Sequence, residues 1–456
     1  MEKLLFKKIE AWVLVLVFLG FGLVLIGFGT VLRNHMNGHD KYGALGELAF
    51  GIANLPSNAR DVFQSINHDR MSTIWGEAPR FHGQDGWVVR DENLVSDLTG
   101  YILLSRYDGV SRHHRVELVA LPEFEIVHEW PIDAELVFAD QEVHPFHDQS
   151  EAIDNEIFRS IHPLVLPNGA LIVKDHYTSL LQIDQCGQRT AFTTGGFHHS
   201  TELGPKGLVW VPGTRLPTEI ARVRSDFRDD TIVALNQEGE VVLERSVPNI
   251  LLKNGLGHLL FSMSGSYDPD PLHLNDIQPV YESGPHWKEG DLFLSMRHKS
   301  LVLLYRPSTD EVLWYKTGPW RFQHDVDILD ENRIAIYDNS TINIRALPQV
   351  DGANSIMIFD FEKGVVEDLL RKDFERAEIR TISEGLFDRM DDGSWMVEEE
   401  NFGRLVILSP TGEIAAEYFN GDGGLNTYRM GWSRYVSESD GVRIVIELAK
   451  KDCLQH

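Results

Sequence analysis

Four histidines open successive copies of one short pattern: His162, His199, His273 and His324. Each precedes a brief strand, a turn and a strongly apolar strand. The copies are IHPLVLPNGALIVKD at 161–175, HHSTELGPKGLVWVP at 198–212, LHLNDIQPV to GDLFLSMRH at 272–298, and FQHDVDILDENRIAIYDN at 322–339. A fifth, SEGLFDRMDDGSWMVEEE at 383–400, carries Glu384 near its start. An imidazole titrates near neutrality and serves as nucleophile, acid or base. An antiparallel hairpin returns to the edge it left. Arg297 therefore shares an edge with His273, Asp338 and Asn339 with His324, and Lys174 and Asp175 with His162. Arg does not deprotonate and forks onto tetrahedral oxyanions. Imidazoles gathered with one guanidinium suit transfer of an anionic group such as sulfuryl or phosphoryl.

Metal chemistry is the rival, because imidazole is a common ligand. Among the leading residues of the copies only Glu384 offers a carboxylate, and Arg297 disfavours a dication beside it, so no metal is expected. The sequence holds no G-x-x-x-x-G-K-[ST], H-E-x-x-H, G-x-S-x-G or C-x-x-C, so no cofactor and no nucleotide-borne donor are expected. His113 with His114, and His144 with His147, are read as solvated loop residues.

The elements that must position these groups are strands. From residue 86 onward, short β-branched and aromatic runs alternate with Gly, Asn, Asp and Pro turns. Gly169, Gly207, Gly290, Asn332 and Gly393 occupy matching turns. A second strand pair follows most copies, as in TIVALNQEGEVVLERSV and LVLLYRPSTDEVLWYK. GYILLSRYDG with VELVALPEFEIVHEWP supplies a further unit. Four strands per repeat predict an all-β fold, a six-bladed β-propeller over 86–450, with a seventh blade left open. Equivalent positions of successive blades ring the central channel, so the histidines are expected to converge on one rim.

Residues 11–32, AWVLVLVFLGFGLVLIGFGTVL, contain no charge. At about 1.5 Å per residue they reach across the roughly 30 Å hydrocarbon core of a bilayer. Lys3, Lys7 and Lys8 precede the span, while Arg33 and Lys41 follow it. That bias predicts a single-pass protein of the inner (cell) membrane, with residues 1–10 cytoplasmic and the bulk periplasmic or extracellular. A cleaved signal peptide is the competing reading of this segment. Residues 33–85 are expected to form a juxtamembrane helical neck, with Ser57 as a cap of its second helix.

The 456 residues carry 42 Lys and Arg against 69 Asp and Glu, a net charge of −27. This argues against nucleic acid as the partner. The 2 cysteines, Cys186 and Cys453, exclude a disulfide scaffold and a four-cysteine zinc site. Whether they pair is left open by their spacing. A homo-oligomer or a membrane-protein partner is compatible with the anchor and neck.

DPLHLNDI, GDLFLSMRHKS, LWYKTG and FQHDVDIL together resemble the PAPS-independent arylsulfate sulfotransferase family, over roughly residues 155–420. The resemblance implies a six-bladed propeller and ping-pong sulfuryl transfer from an aryl sulfate donor to a phenolic acceptor, without cofactor. By position, His324 matches the nucleophile that is transiently sulfated. His273 and Asn275 match a His-x-Asn pair, and Arg297 the arginine on the sulfuryl oxygens. The remaining family histidine falls at His198 or His199, with His199 preferred by register. His273, Arg297, His324 and His199 are thus the expected catalytic residues. Asn275, His198 and His162 are the expected substrate-binding residues. Phe197, Trp320, Phe322 and Tyr337 are candidates to grip an aryl ring. Against the enzyme stand a non-catalytic, membrane-tethered propeller that binds a protein or glycan, and a metal-dependent hydrolase or lyase on the same rim.

Overall fold

A computed structural model describes residues 10–36, 41–53, 74–147, 153–263, 265, 267–344, 348–450 and 453. The chain divides into two units, Met1–Asp69 and Arg70–His456. In the first, Ala11–Met36 is one helix of 26 residues, apolar on all sides and long enough to cross a membrane. Its one hydroxyl, Thr30, bonds back to the Ile26 carbonyl at 2.8 Å, so that donor is satisfied within the helix. Ala44–Ala53 is a second, shorter apolar helix. The expected helix cap at Ser57 lies outside the described residues.

The second unit is β-rich and propeller-like. Strand Trp75–Glu77 pairs with Asn426–Tyr428, so the chain enters this unit within the span expected to be neck. The strands fall into four-stranded groups in chain order. Tyr101–Asp108, His113–Ala120 and Glu125–Trp130 pair in turn, and the sheet is completed by Arg434–Val436 from the far end of the chain. An eight-stranded sheet follows. In it the strands from Leu164–Val165 to Arg189–Phe197 join those from Glu202–Leu203 to Val241–Ser246 through one residue pair, Phe197 with Gly213. Leu274–Pro279, Leu292–Met296, Leu301–Arg306 and Glu311–Thr317 form the next sheet. His324–Ile328, Arg333–Asp338, Ser355–Asp360 and Val365–Asp368 form another. Leu386–Arg389, Trp395–Glu399, Arg404–Leu408 and Ile414–Phe419 form the last, with Gly86–Val89 added at its outer edge.

The cores connect these groups in a closed order. Leu103 and Leu118 pack with Leu171 and Leu181. Ile172 packs with Val211 and Val233, and Ile232 with Leu292 and Leu303. Phe293 packs with Ile336 and Phe359, Ile358 with Val397 and Val406, and Leu405 and Ile407 return to Ile102 and Leu104. Alternating apolar residues on both faces of each sheet make this sandwiching obligatory. From Glu202–Leu203 round to Arg434–Val436, the first strands of successive groups also touch one another.

An edge strand leaves backbone N–H groups without partners. Here side chains of the preceding group supply them. Ser200 Oγ accepts from Ile277 at 3.1 Å, Asp276 from Val326 at 2.9 Å, Asp325 from Phe387 at 2.8 Å and Asp388 from Tyr435 at 2.9 Å. This explains the LHLND and FQHDVD acids, which the hairpin pattern alone does not.

Two features depart from the sequence reading. The chain ends in an amphipathic helix, Glu438–Leu448, capped by Ser437; Leu448 and Ile444 dock in the core beside Trp130. Its eleven residues were too few to stand out against the strand pattern. The helix brings the C-terminus back, and Cys186 and Cys453 are disulfide-bonded. His114, expected in a solvated loop, lies in strand His113–Ala120, buried and bonded to Ser105 Oγ at 2.8 Å. His147 is likewise buried.

Candidate active site

The residues before the first strands adopt a shared backbone strain. His162, His199, His273, Glu384 and Trp432 all have positive φ, between 47° and 62°. This left-handed conformation is costly for residues with a Cβ and concentrates at functional sites. It turns each side chain toward the same end of the sheets. The ring of His199 lies 4.9 Å from that of His273, 6.4 Å from His324, 4.7 Å from His176 and 5.9 Å from Trp432. Trp432 stands edge-on to His324 at 6.0 Å and to His162 at 5.6 Å. Arg297 belongs to the same end, its N–H bonded to the His273 carbonyl at 3.1 Å.

His324 is 1% exposed. Asn339 donates through Nδ2 to the carbonyls of Thr381 and Glu384, at 3.3 and 2.7 Å. Its Oδ1 must therefore face His324 Nδ1, 2.7 Å away, and that nitrogen carries the proton. Nε2 keeps its lone pair, which accepts from the Glu384 backbone N–H at 3.2 Å. Burial, with Arg297 nearby, pushes the His324 ring well below its ordinary pKa, so it stays neutral. A neutral imidazole with a fixed lone pair is the form a nucleophile requires.

Arg297 forms no ion pair among the described residues, and its Nε is buried without a hydrogen-bond partner. Its guanidinium carbon lies 4.9 Å from the centre of the Phe322 ring. Burial lowers its pKa, with Glu384 and Asp270 opposing. An unmatched, buried donor of fixed positive charge invites an anion.

His273 Nδ1 is 2.7 Å from Asp270 Oδ2, and its ring stacks on His298 at 4.4 Å. His199 and His198 share a bond between their Nδ1 atoms at 2.8 Å. His198 lies behind, against Tyr177 and 3.9 Å from Asp230, so His199 is the one that meets the other imidazoles. Asn275 donates to the Gln323 carbonyl at 2.8 Å, which fixes the chain beside His324, and its Oδ1 is buried without a partner. Arg434 donates to His162 Nε2 at 2.7 Å, so Nδ1 carries the proton and faces Glu202 at 3.5 Å. It braces the fold and presents no free ring atom. Lys174 bonds the carbonyls of Ile161 and His199, and burial draws its pKa down to about 7.

Of the aromatic candidates, Phe197, Trp320 and Tyr337 are core residues. Phe322 alone is partly exposed, beside Arg297.

The structure adds groups, among them His176 and Glu400, that the repeat pattern did not single out, and ties them to Glu384. Glu384 Oε1 meets His176 Nε2 at 3.2 Å. Burial opposes its ionisation, but bonds from Glu400 and His176, with Arg159, hold the carboxyl well below the usual range. Glu400, which accepts from Arg159 at 2.8 Å, is pushed up by burial and by the neighbouring Glu384. Asp270, His298 and Trp432 complete the surroundings. SMRH already displayed His298, but no spacing rule links Trp432 to residues more than a hundred positions away.

The strand groups closed in a ring, with histidines and one arginine at one end, define a propeller-like protein with a polar end site. Residues 162–421 match the arylsulfotransferase (ASST) family model, and the chain belongs to that family of PAPS-independent enzymes. Membership implies aryl sulfate substrates. No curated protein matches the chain. Among solved structures it is similar to a protein of unknown function from Bacteroides caccae, at 12% identity and a TM-score of 0.44 over 70% of this chain and 94% of that one. It is also similar to virginiamycin B lyase from Staphylococcus aureus, at 12% identity and a TM-score of 0.35 over 58% and 72% of the two chains. A third similarity is to Kuenenia stuttgartiensis hydrazine synthase, at 11% identity and a TM-score of 0.37 over 71% and 80%.

Proposed function

We propose that this protein is a membrane-anchored sulfotransferase that moves a sulfuryl group from a phenolic sulfate ester to a phenol through a sulfohistidine at His324. The observation that carries the reading is the His324–Asn339 bond, which leaves Nε2 as a fixed lone pair beside an uncommitted Arg297. Nε2 exchanges its long bond to the Glu384 N–H for the sulfur atom. The N–S bond forms as the S–O bond to the aryl oxygen breaks, with its electron pair leaving on the phenolate. Arg297 offsets charge on the sulfuryl oxygens. His273 or His199 supplies a proton to the phenolate, and later removes one from the acceptor phenol as it attacks sulfur and frees His324.

The cyclic order of the cores and the four-stranded groups support six blades. The apolar helix Ala11–Met36 supports an anchor, and the disulfide supports an oxidising compartment outside the cytoplasm. A C-terminal reporter fusion active only in the periplasm or cell exterior is the expected result; cytoplasmic activity would reverse the orientation. The function is tested by incubation with 4-methylumbelliferyl sulfate and phenol, with mass spectrometry of the His324 peptide. Sulfation of His324 and transfer to phenol are expected, and both are lost in His324→Ala. Transfer retained in that variant would refute the nucleophile.

A further inference from the structure

We propose that Asp270 is a positioning residue that makes His273, rather than His199, the proton donor and acceptor for the phenolic oxygen. The inference rests on His324 being the nucleophile. Its basis is the contrast between two imidazoles at one site. His324 Nδ1 faces a neutral amide oxygen, whereas His273 Nδ1 faces a carboxylate oxygen at the same distance, 2.7 Å.

Asp270 is ionised. Burial opposes this, but His273, His298 and Arg228 override it and hold the carboxyl well below its ordinary range. A carboxylate only accepts, so His273 Nδ1 carries a proton. Nε2 is then the ring atom left to give or take a proton at the phenolic oxygen. The charged and titratable groups facing His273 are Asp270 on its own loop, Arg297 and His298 from the hairpin's second strand end, His198 and His199 from the preceding group, and His324 from the following one. Asp230, which accepts from the Leu274 N–H at 2.8 Å, and Arg228, 3.4 Å from Asp270, flank them, and Asp270 is the carboxylate in contact with the ring.

His298 fixes the arrangement from the other side. Its Nδ1 is 2.7 Å from the Asp270 carbonyl and its ring stacks on His273 at 4.4 Å. Burial and His273 draw its own pKa down to about 4, so it braces without competing for the proton. His199 is placed differently. Its Nδ1 is shared with another imidazole, and burial holds both rings well below their ordinary values. One imidazole thus leans on a carboxylate and its neighbour on an amide oxygen, which orients the two rings for different tasks. In the first half-reaction the proton on His273 Nε2 passes to the departing aryl oxygen as the S–O bond breaks. In the second, Nε2 takes the acceptor's proton as the new S–O bond forms.

The test is Asp270→Asn, assayed with a series of phenyl sulfates of falling leaving-group pKa. A nitrophenolate leaves without help, whereas unsubstituted phenolate needs the proton. The variant is expected to lose about 10²-fold or more with phenyl sulfate and little with 4-nitrophenyl sulfate, as general acid catalysis requires. Sulfation of His324 by 4-nitrophenyl sulfate persists, and Asp270→Glu recovers the phenyl sulfate rate. Equal loss across the series would assign Asp270 a purely structural role and overturn the proposal. So would loss of wild-type activity on chelation with recovery on added Zn2+, because the ligand atoms of Asp270, His273 and His298 lie within 4.8 Å of one another and would then be read as metal ligands. Absence of His324 sulfation in the wild type is a separate result, and it sinks the transfer reading itself. Should Asp270→Asn not fold, nitrogen NMR of the wild-type imidazoles, assigned by loss of a signal in His273→Gln, is expected to show a protonated Nδ1 at neutral pH; an unprotonated Nδ1 overturns the proposal.

Discussion

Asn339 sets the tautomer of His324 from the end of the next strand. Its amide nitrogen is held by two carbonyls, so its oxygen alone reaches the ring, at 2.7 Å. Asn339→Ala is expected to lower the rate of His324 sulfation about 10–100-fold with KM little changed, the usual scale for loss of an orienting partner. Asn339→Asp places a carboxylate there and raises the His324 pKa, so the acid limb of the rate profile moves to higher pH. Burst kinetics with an aryl sulfate across pH measure both; an unmoved acid limb in Asn339→Asp would show that this contact does not control the ring.

Arg297→Lys keeps the charge and loses the fork. Because Nε is already desolvated and unpaired, the guanidinium is poised for oxygen atoms that the ammonium cannot reach together. The expected loss in kcat/KM is about 10²-fold, comparable to removal of one oxyanion donor. Steady-state kinetics with phenyl sulfate check it. A loss below threefold would remove Arg297 from the transition state.

The histidine register was legible because each ring sits at the same place in a repeated hairpin, and the hairpin fold itself placed Arg297 beside His273. Asn339 was legible for the same reason. Trp432 was not. Its strand closes a sheet whose other members lie at 101–130, so the repeat it belongs to is cut in two along the chain. The acids Asp276, Asp325 and Asp388 were also opaque, since what they bond is an N–H in the next group, which has no counterpart in local spacing. His162 shared the register of its fellows yet is consumed by Arg434, a residue whose arrival no local pattern announces.

Asp388 gives the fold a pH dependence of predictable sign. Burial pushes its carboxyl from 3.8 up to about 7, with Glu202 adding and the Tyr435 N–H and Arg434 opposing. The folded state keeps the proton that the unfolded chain loses, so this contribution is complete below the unfolded value and declines as pH rises through the folded one. Asp388→Asn retains an acceptor for Tyr435 and no longer titrates. Urea unfolding of the Arg70–His456 unit within the whole protein should show the variant gaining on the wild type between about pH 4 and about pH 7. A difference independent of pH would place the Asp388 titration elsewhere.

Cys186 and Cys453 are 267 residues apart in sequence. Cys186→Ser, or a reductant, is expected to lower stability by about 2–4 kcal/mol. The C-terminal helix Glu438–Leu448 should loosen first, read as faster hydrogen exchange there. Unchanged exchange would mean that the docking of Ile444 and Leu448 suffices.

The sheet begun by Tyr101–Asp108 is finished only by Arg434–Val436. During synthesis the nascent polypeptide therefore carries an open seam until residues 434–436 have emerged. Trp432, which touches three of the imidazoles, arrives at the same late moment. The ring of imidazoles is consequently incomplete until that strand docks, and a stop codon before residue 432 should yield aggregation-prone material rather than a weakened catalyst.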